Sequence, residues 1–271
     1  MSVTLHSAGS LQYLSSSLLP IPHGFSTRLG GVSTGYLESL NLGLNRGDER
    51  ENVIQNYRLL GQAIGFDPFA AVGASQVHGK TILPVTARHR GELLGQRLGI
   101  DCDGLITNEP GIPLVVFSAD CETALLYDPI CRAIGAVHSG WKGTALGIVK
   151  EAVEAMVSTY GCDSSNILAV LGPCIGQDCF ETDANVPEAM RQALGELAEP
   201  AILQTGDKYH VDLKALNRTW LLEAGLREDH IDVCPACTAC NPELFWSYRR
   251  HQDNRGSLAA VIVLPEQEAG T

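Results

Sequence analysis

Apolar residues recur along this chain at two spacings, and the spacing changes where glycine or proline intervenes. In DERENVIQNYRLLGQAIG, from Asp48, residues Val53, Tyr57, Leu60 and Ile64 share one helical stripe, with Gly65 as a stop. Asp48 and Glu51 are spaced like a capping box at its start. A second stripe, Ile148, Val149, Ala152, Val153, Met156 and Tyr160, predicts a helix ending at Gly161. A third helix is expected over Pro187 to Leu197. A fourth is expected after Asp212, where Leu213, Leu216 and Trp220 share a face before Gly225. Between these segments the runs IPLVVFSADC, TALLYD and CRAIGAVH have strand length, as do NILAVLG and SLAAVIVLP later. Strands and helices interleave without βαβ regularity, so the pattern predicts an α+β domain of layered mixed sheets rather than a doubly wound one.

Composition narrows the class. With 271 residues, 45% hydrophobic and 18% charged, the chain can bury a large core, and a single domain over residues 1–271 is expected. No apolar run approaches the roughly 20 residues of a membrane span, and the N-terminal stretch lacks the form of a secretory signal. A cytoplasmic protein with no membrane partner is expected. A net charge of -12 argues against nonspecific nucleic-acid binding, which needs basic surface, while leaving room for a small anion in a locally positive cleft. Nothing in the sequence calls for an obligate protein partner. Nine cysteines, an odd number over a long chain, read as reduced thiols or metal ligands rather than a disulfide scaffold.

Three segments place a metal-capable side chain beside turn residues at the end of an apolar run: QVHG with His78, SADC with Cys121 and AVHSGW with His138. Two imidazoles and a thiolate suit zinc, and three protein ligands leave a fourth position open, as catalytic sites do. Sequence spacing does not prove that they converge. A loop histidine bonded to backbone and an inert buried thiol are the ordinary fates of such residues. The context of His138 is more specific, because Gly140 and Gly143 permit close backbone approach and the following helix offers free N–H groups to an anion. Lys142 would add charge there.

The glycine-rich loop STRLGGVSTGYLESLNLGLNRGD carries Arg28 and Asn41, able to grip an anion or a sugar hydroxyl or simply to stabilise the loop. In FWSYRRHQDNRG, one of Arg249 and Arg250 is a candidate to enter a site, with Arg249 taken as substrate-binding; Trp246 and Tyr248 read as core. The run CPACTAC spaces Cys234, Cys237 and Cys240 like the start of an iron–sulfur ligand run, but Leu244 stands where a fourth cysteine would follow, so no cofactor is expected on it.

Taken together, STRLGGVS, SLNLG, QVHG, SADC, AVHSGWKGT, LGPCIG and CTACNPELFWSYRR resemble the YfiH-type laccase-domain family, whose members are also called polyphenol oxidases, peptidoglycan editing factors and purine nucleoside phosphorylases. The resemblance runs from about His23 to Leu264. It implies an α/β/β/α layered domain with mixed sheets, and zinc on the residues matching His78, Cys121 and His138. It also implies phosphorolysis of adenosine, inosine and related nucleosides, in some members with adenosine deamination and 5'-methylthioadenosine cleavage. Arg28, Asn41 and Lys142 would serve substrate or phosphate. The partners so implied are a nucleoside and phosphate.

Other readings stay open. A copper-dependent polyphenol oxidase is disfavoured by only eight histidines and no H-x-H pair. A cysteine hydrolase, with Cys121 as nucleophile and His138 as base, would suit editing of peptidoglycan precursors. A noncatalytic binding protein is the third. The H-x-E and P-C-x-x-C pair of zinc nucleobase deaminases is absent, so any deamination would use a different site.

Overall fold

The computed structural model describes residues 3–95 and 99–266. Strands β1 (Val3–Ala8), β2 (Leu11–Ser16) and β3 (His23–Ser26) lead through the glycine-rich loop to α1 (Arg50–Ile64). Next come β4 (Val72–Gly73), β5 (Ile82–Pro84), β6 (Gly104–Thr107), β7 (Leu114–Ser118), β8 (Glu122–Asp128) and β9 (Ala133–Ser139), then α2 (Trp141–Ala145) and α3 (Ile148–Tyr160). The chain continues with β10 (Leu168–Leu171), β11 (Glu181–Thr182), α4 (Asn185–Leu194), β12 (Ile202–Thr205), β13 (Lys208–Val211) and α5 (Leu213–Glu223). It closes with β14 (Ile231–Val233), α6 (Tyr248–His251) and β15 (Leu258–Ile262).

These strands form two mixed six-stranded sheets, ordered β1-β2-β3-β15-β7-β4 and β14-β10-β8-β9-β6-β5, and a small sheet β11-β13-β12. Period-two alternation builds the layers. In β15, Leu258, Ala260 and Ile262 face a core shared with Leu125, Ile134 and Ala136 of the opposite sheet. The intervening Ala259 and Val261 pack on the α1 stripe of Val53, Tyr57, Leu60 and Ile64. On the second sheet, Ala124, Leu126 and Val137 face outward onto Ile148, Val149, Ala152, Val153 and Met156 of α3. The architecture is therefore helix, sheet, sheet, helix, as expected. Near-continuous apolar strands follow from burial on both faces.

The five expected strand runs all form strands, and Gly65 and Gly161 close α1 and α3 in the left-handed conformation (φ 94° and 71°). Asp212 caps α5 through the amide of Ala215. Three expectations need correction. Asp48 makes no capping box: its carboxylate instead ties Ser33, Asn41 and Asn52 together across the loop, and Glu49 is the cap position. The third helix starts earlier, at Asn185, and its end is a 3-10 segment over Gly195–Ala201. The segment after His138 is two helices, because Gly147 at φ 69° breaks α2 from α3. Among the described residues, no helix is long and apolar enough to cross a membrane.

Candidate metal centre

The β8–β9 hairpin sets the site through its register. Thr123 pairs with His138, so Cys121, just before β8, and His138, near the end of β9, meet at one sheet end. The next pairing, Gly104 with Val137, brings Asp103 beside His138. The loop between β4 and β5 carries His78 over the top. Donor atoms of His78, Cys121 and His138 all lie within 4.8 Å of one another, with His78 exposed, Cys121 half-buried and His138 buried. Cys121 Sγ is 3.9 Å from His78 Nε2, and the two imidazoles stand edge-on at 4.9 Å.

Asp103 organises both histidines. Its Oδ1 lies 2.8 Å from His138 Nδ1, which leaves Nε2 of that ring for the centre. The same fully buried carboxylate accepts the backbone N–H groups of Val77 (3.1 Å), His78 (3.0 Å) and Gly79 (2.7 Å). Burial would raise its pKa, but these bonds outweigh burial and hold it below the ordinary carboxylate value.

Backbone conformation supports the approach of the three donors. His78 and Asp120 have φ of 61° and 96°, an unusual conformation for non-glycine residues that is held here by bonding. Asp120 accepts from Thr238 Oγ1 (2.6 Å), Ser247 Oγ (3.0 Å) and Arg249 N (2.7 Å), which positions the neighbouring Cys121. A Cβ on Gly140 would stand 2.7 Å from His78 Cδ2 and 3.1 Å from Cys121 Sγ, so the glycine makes the cradle.

Burial would raise the Cys121 thiol, yet His138 and His78 bring it down to about 6. Burial would lower His138, yet the Cys121 thiolate and Asp103 lift it to about 9. The protein thus stabilises a thiolate here, the form that coordinates metal or acts as nucleophile.

Two cavities meet over these residues, and both are lined by His78, Ala119, Cys121 and Arg255. The first, of about 420 Å³, adds Arg46, Gln76, His138 and Ser257. The second, of about 550 Å³, adds Trp141, Lys142, Ile175, Phe180, Tyr248 and Arg249. Both fall within the usual size of small-molecule sites. Arg255 is 9% exposed and its Nε has no hydrogen-bond partner, while the nearby charge of Arg46 repels it. Burial and that repulsion favour an incoming anion, against the smaller opposing charges of Asp120, Cys121 and Asp253.

The predicted residues therefore divide. His78, Cys121 and His138 converge, and Lys142 and Arg249 line the second cavity. Arg28 and Asn41 line neither cavity. The Arg28 guanidinium is engaged by the carbonyls of Glu38 and Pro242 and lies 3.7 Å from the Trp246 ring centroid. Asn41 is fully buried, its amide spent on Gly43, Asp48 and the Ser257 backbone. In this structure both support the loop, their polar groups satisfied within the fold. Tyr248 is corrected: it is 49% exposed and lines the second cavity, whereas Trp246 is core as expected. The five-residue α2 is too short for the anion-binding helix terminus expected after His138. Sequence reasoning missed Asp103, Arg46 and Arg255. Asp103 in DCDG, directly before a strand, and Arg255 in NRGS, before the last apolar run, were the available signals.

This arrangement defines a layered α/β protein with a His–Cys–His centre, and residues 22–265 match the model of the multi-copper polyphenol oxidoreductase laccase family. The chain belongs to this YfiH-type laccase-domain family. It is 38% identical over 248 residues to Purine nucleoside phosphorylase YlmD of Bacillus subtilis, covering 90% of this chain and 88% of that one. It is 37% identical over 239 residues to Purine nucleoside phosphorylase YfiH of Escherichia coli, covering 88% and 92%. Against human Purine nucleoside phosphorylase LACC1 the identity is 32% over 269 residues, 95% of this chain and 59% of that one. The crystal structure of YlmD from Geobacillus stearothermophilus superposes with a TM-score of 0.90 at 33% identity, covering 96% of this chain and 98% of that one.

Proposed function

We propose that this chain is a zinc-dependent purine nucleoside phosphorylase acting on adenosine and inosine, with 5'-methylthioadenosine cleavage and adenosine deamination as further activities. The observation that carries this reading is the buried Arg255 guanidinium, its Nε without a hydrogen-bond partner while Nη1 donates to the Gly256 carbonyl, at the junction of two cavities beside the His78–Cys121–His138 donors. It is supported by relatives that bear the name purine nucleoside phosphorylase.

The donor set fits zinc: a thiolate favoured by its surroundings, a histidine oriented by a carboxylate and a glycine cradle that a Cβ would fill. Zinc held by His78, Cys121 and His138 would supply Lewis acidity at the cavity junction. Copper is the weaker fit for a multi-copper oxidase, because this group gathers only two histidines and the other candidate groups among the described residues contain none.

The chain's own residues then divide the substrate. Arg255 and Arg46 hold phosphate on the polar side, placing one oxygen toward C1' of the ribose. Trp141, Phe180 and Tyr248 enclose the purine on the other side, with Lys142 able to hydrogen-bond its ring atoms and Arg249, held by the Cys179 and Glu181 carbonyls, lining the wall beside it. Phosphate attack at C1' breaks the bond to the base, which departs with that electron pair and is protonated. Fixed positive charge near the phosphate and the departing base stabilises the negative charge on each without reorganisation. The products expected from adenosine or inosine are free base and ribose 1-phosphate, at a rate that rises with phosphate and saturates. Release of free ribose, or turnover indifferent to phosphate, would overturn the reading.

The second reading, a cysteine hydrolase including a peptidoglycan-precursor editing enzyme, is favoured by one observation. Without metal, Cys121 and His138 form a thiolate–imidazolium pair. Stoichiometric zinc in protein purified without added metal supports the first reading over this one.

A further inference from the structure

Five cysteines lie in LGPCIGQDC and CPACTAC, and the fold sorts them sharply. Cys174 and Cys234 are fully buried. The Sγ atoms of Cys179, Cys237 and Cys240 instead converge within 4.8 Å of one another, and the first two are half-buried while Cys240 is exposed. The local run suggested Cys234 as the third partner, but Cys234 turns into the core and Cys179 arrives from 61 residues before Cys240 in its place.

We propose that Cys179, Cys237 and Cys240 form a second metal site, a three-thiolate centre for one closed-shell, thiophilic divalent cation of the zinc class. Four features on these loops support it. Cys179 Sγ and Cys240 Sγ are 3.2 Å apart, and the range up to 4.8 Å brackets the edge of about 3.8 Å that zinc–sulfur bonds of about 2.3 Å require in a tetrahedron. Cys237 Sγ accepts the N–H groups of Gly176 (3.1 Å) and Cys240 (3.4 Å), bonds that favour a thiolate acceptor.

The loops carrying the thiols are also tied down. Arg249 donates to the carbonyls of Cys179 (2.7 Å) and Glu181 (3.0 Å), Arg250 to that of Ala239 (2.7 Å), and Lys214 to that of Ala236 (2.7 Å). Three cationic side chains thus hold the loops that carry the thiols. Finally, a Cβ on Gly176 would stand 3.2 Å from Cys237 Cβ, so the glycine lets the two loops close on each other.

Binding needs no oxidant. Each thiol loses its proton to solvent as a metal–sulfur bond forms, and three thiolates on a divalent cation leave one net negative charge. The exposed side leaves a fourth position for water. Four thiolates, as an iron–sulfur cluster demands, are not gathered here among the described residues. Because Phe180 and Arg249 adjoin these loops and line the second cavity, the cation would pin one wall of it.

The test uses reduced, metal-free protein titrated with Cd²⁺ under argon, in a Cys121→Ser/His138→Ala background that disables the first centre. Thiolate-to-metal charge-transfer absorption should saturate at one equivalent, and adding Cys179→Ser or Cys240→Ser should weaken binding at least tenfold. Wild-type protein should hold two zinc ions per chain, and its Cys240→Ser variant one. Absence of saturable absorption, or absorption unchanged by both serine variants, would overturn the site. So would a thiol count two short in metal-free protein purified without air, which would assign Cys179 and Cys240 to a disulfide. None of these readouts depends on nucleoside turnover.

Discussion

Asp103 and His138 are joined twice, by the carboxylate–imidazole bond of 2.8 Å and by the His138 amide bonded at 2.7 Å to the Asp103 carbonyl. One residue thereby fixes both the tautomer of the His138 ring and the strand that carries it. Asp103→Asn keeps the shape but weakens these roles, and zinc affinity should fall by about 10- to 100-fold. Competition against a chelator of known affinity measures it; unchanged affinity would place His138 outside the centre.

Replacement of His78, Cys121 or His138 by alanine should each abolish stoichiometric zinc at the first centre while far-ultraviolet circular dichroism stays close to wild type. His78 is exposed and Cys121 half-buried, so their loss leaves little void. Metal analysis in a Cys240→Ser background isolates this centre from the thiol cluster.

Gly140→Ala introduces a methyl group at 2.7 Å from His78 Cδ2 and 3.1 Å from Cys121 Sγ. Either the histidine moves or the turn does. Zinc affinity should fall at least tenfold although no ligand is changed, with a much smaller change in thermal midpoint. Equal affinity of variant and wild type would show that the cradle is looser than the geometry states.

Two arginines should separate by phenotype. Arg255→Met removes the cavity guanidinium with its free Nε and should raise the KM for phosphate at least tenfold with zinc retained. Arg28→Met should instead lower stability by about 1–2 kcal/mol, from lost carbonyl bonds and stacking on Trp246, with the phosphate KM unchanged. The reverse pattern would return the anion role to Arg28.

In metal-free protein, Cys121 should be alkylated with a pH midpoint of about 6, and the rate should fall as pH drops through that value because protonation removes the thiolate. His138 stays charged up to about 9, so the ion pair spans the interval between the two values. The sign follows for stability. The depressed thiol contributes most above its unfolded pKa and loses that contribution as pH falls through about 6; the raised histidine loses its own as pH rises through about 9. His138→Ala should move the alkylation midpoint upward. Zinc should suppress the reaction at every pH.

Much of this molecule is a local matter. The α1 stripe from Val53 to Ile64 and the alternating apolar run from Leu258 to Ile262 each bury faces that are visible as periodicity, because side-chain direction in helices and strands is set by backbone geometry alone. Residue chemistry did the same for His78, Cys121 and His138, each marked by a turn at the end of an apolar run. The short edge strands were not legible, since β4 and β11 have only two residues each and no period to show.

What the tertiary structure alone decided is which polar groups remain unsatisfied. Arg28 and Arg255 look alike in sequence, each an arginine in a glycine-containing loop, yet one meets two carbonyls and an indole while the other faces a cavity with a free Nε. Likewise CPACTAC advertises Cys234 as a partner of Cys237, but the core takes Cys234 and a different loop supplies Cys179. Periodicity determines which faces of an element are buried; the packing of distant segments determines whether a donor or a thiol there has already met its partner, and local sequence carries no record of that meeting.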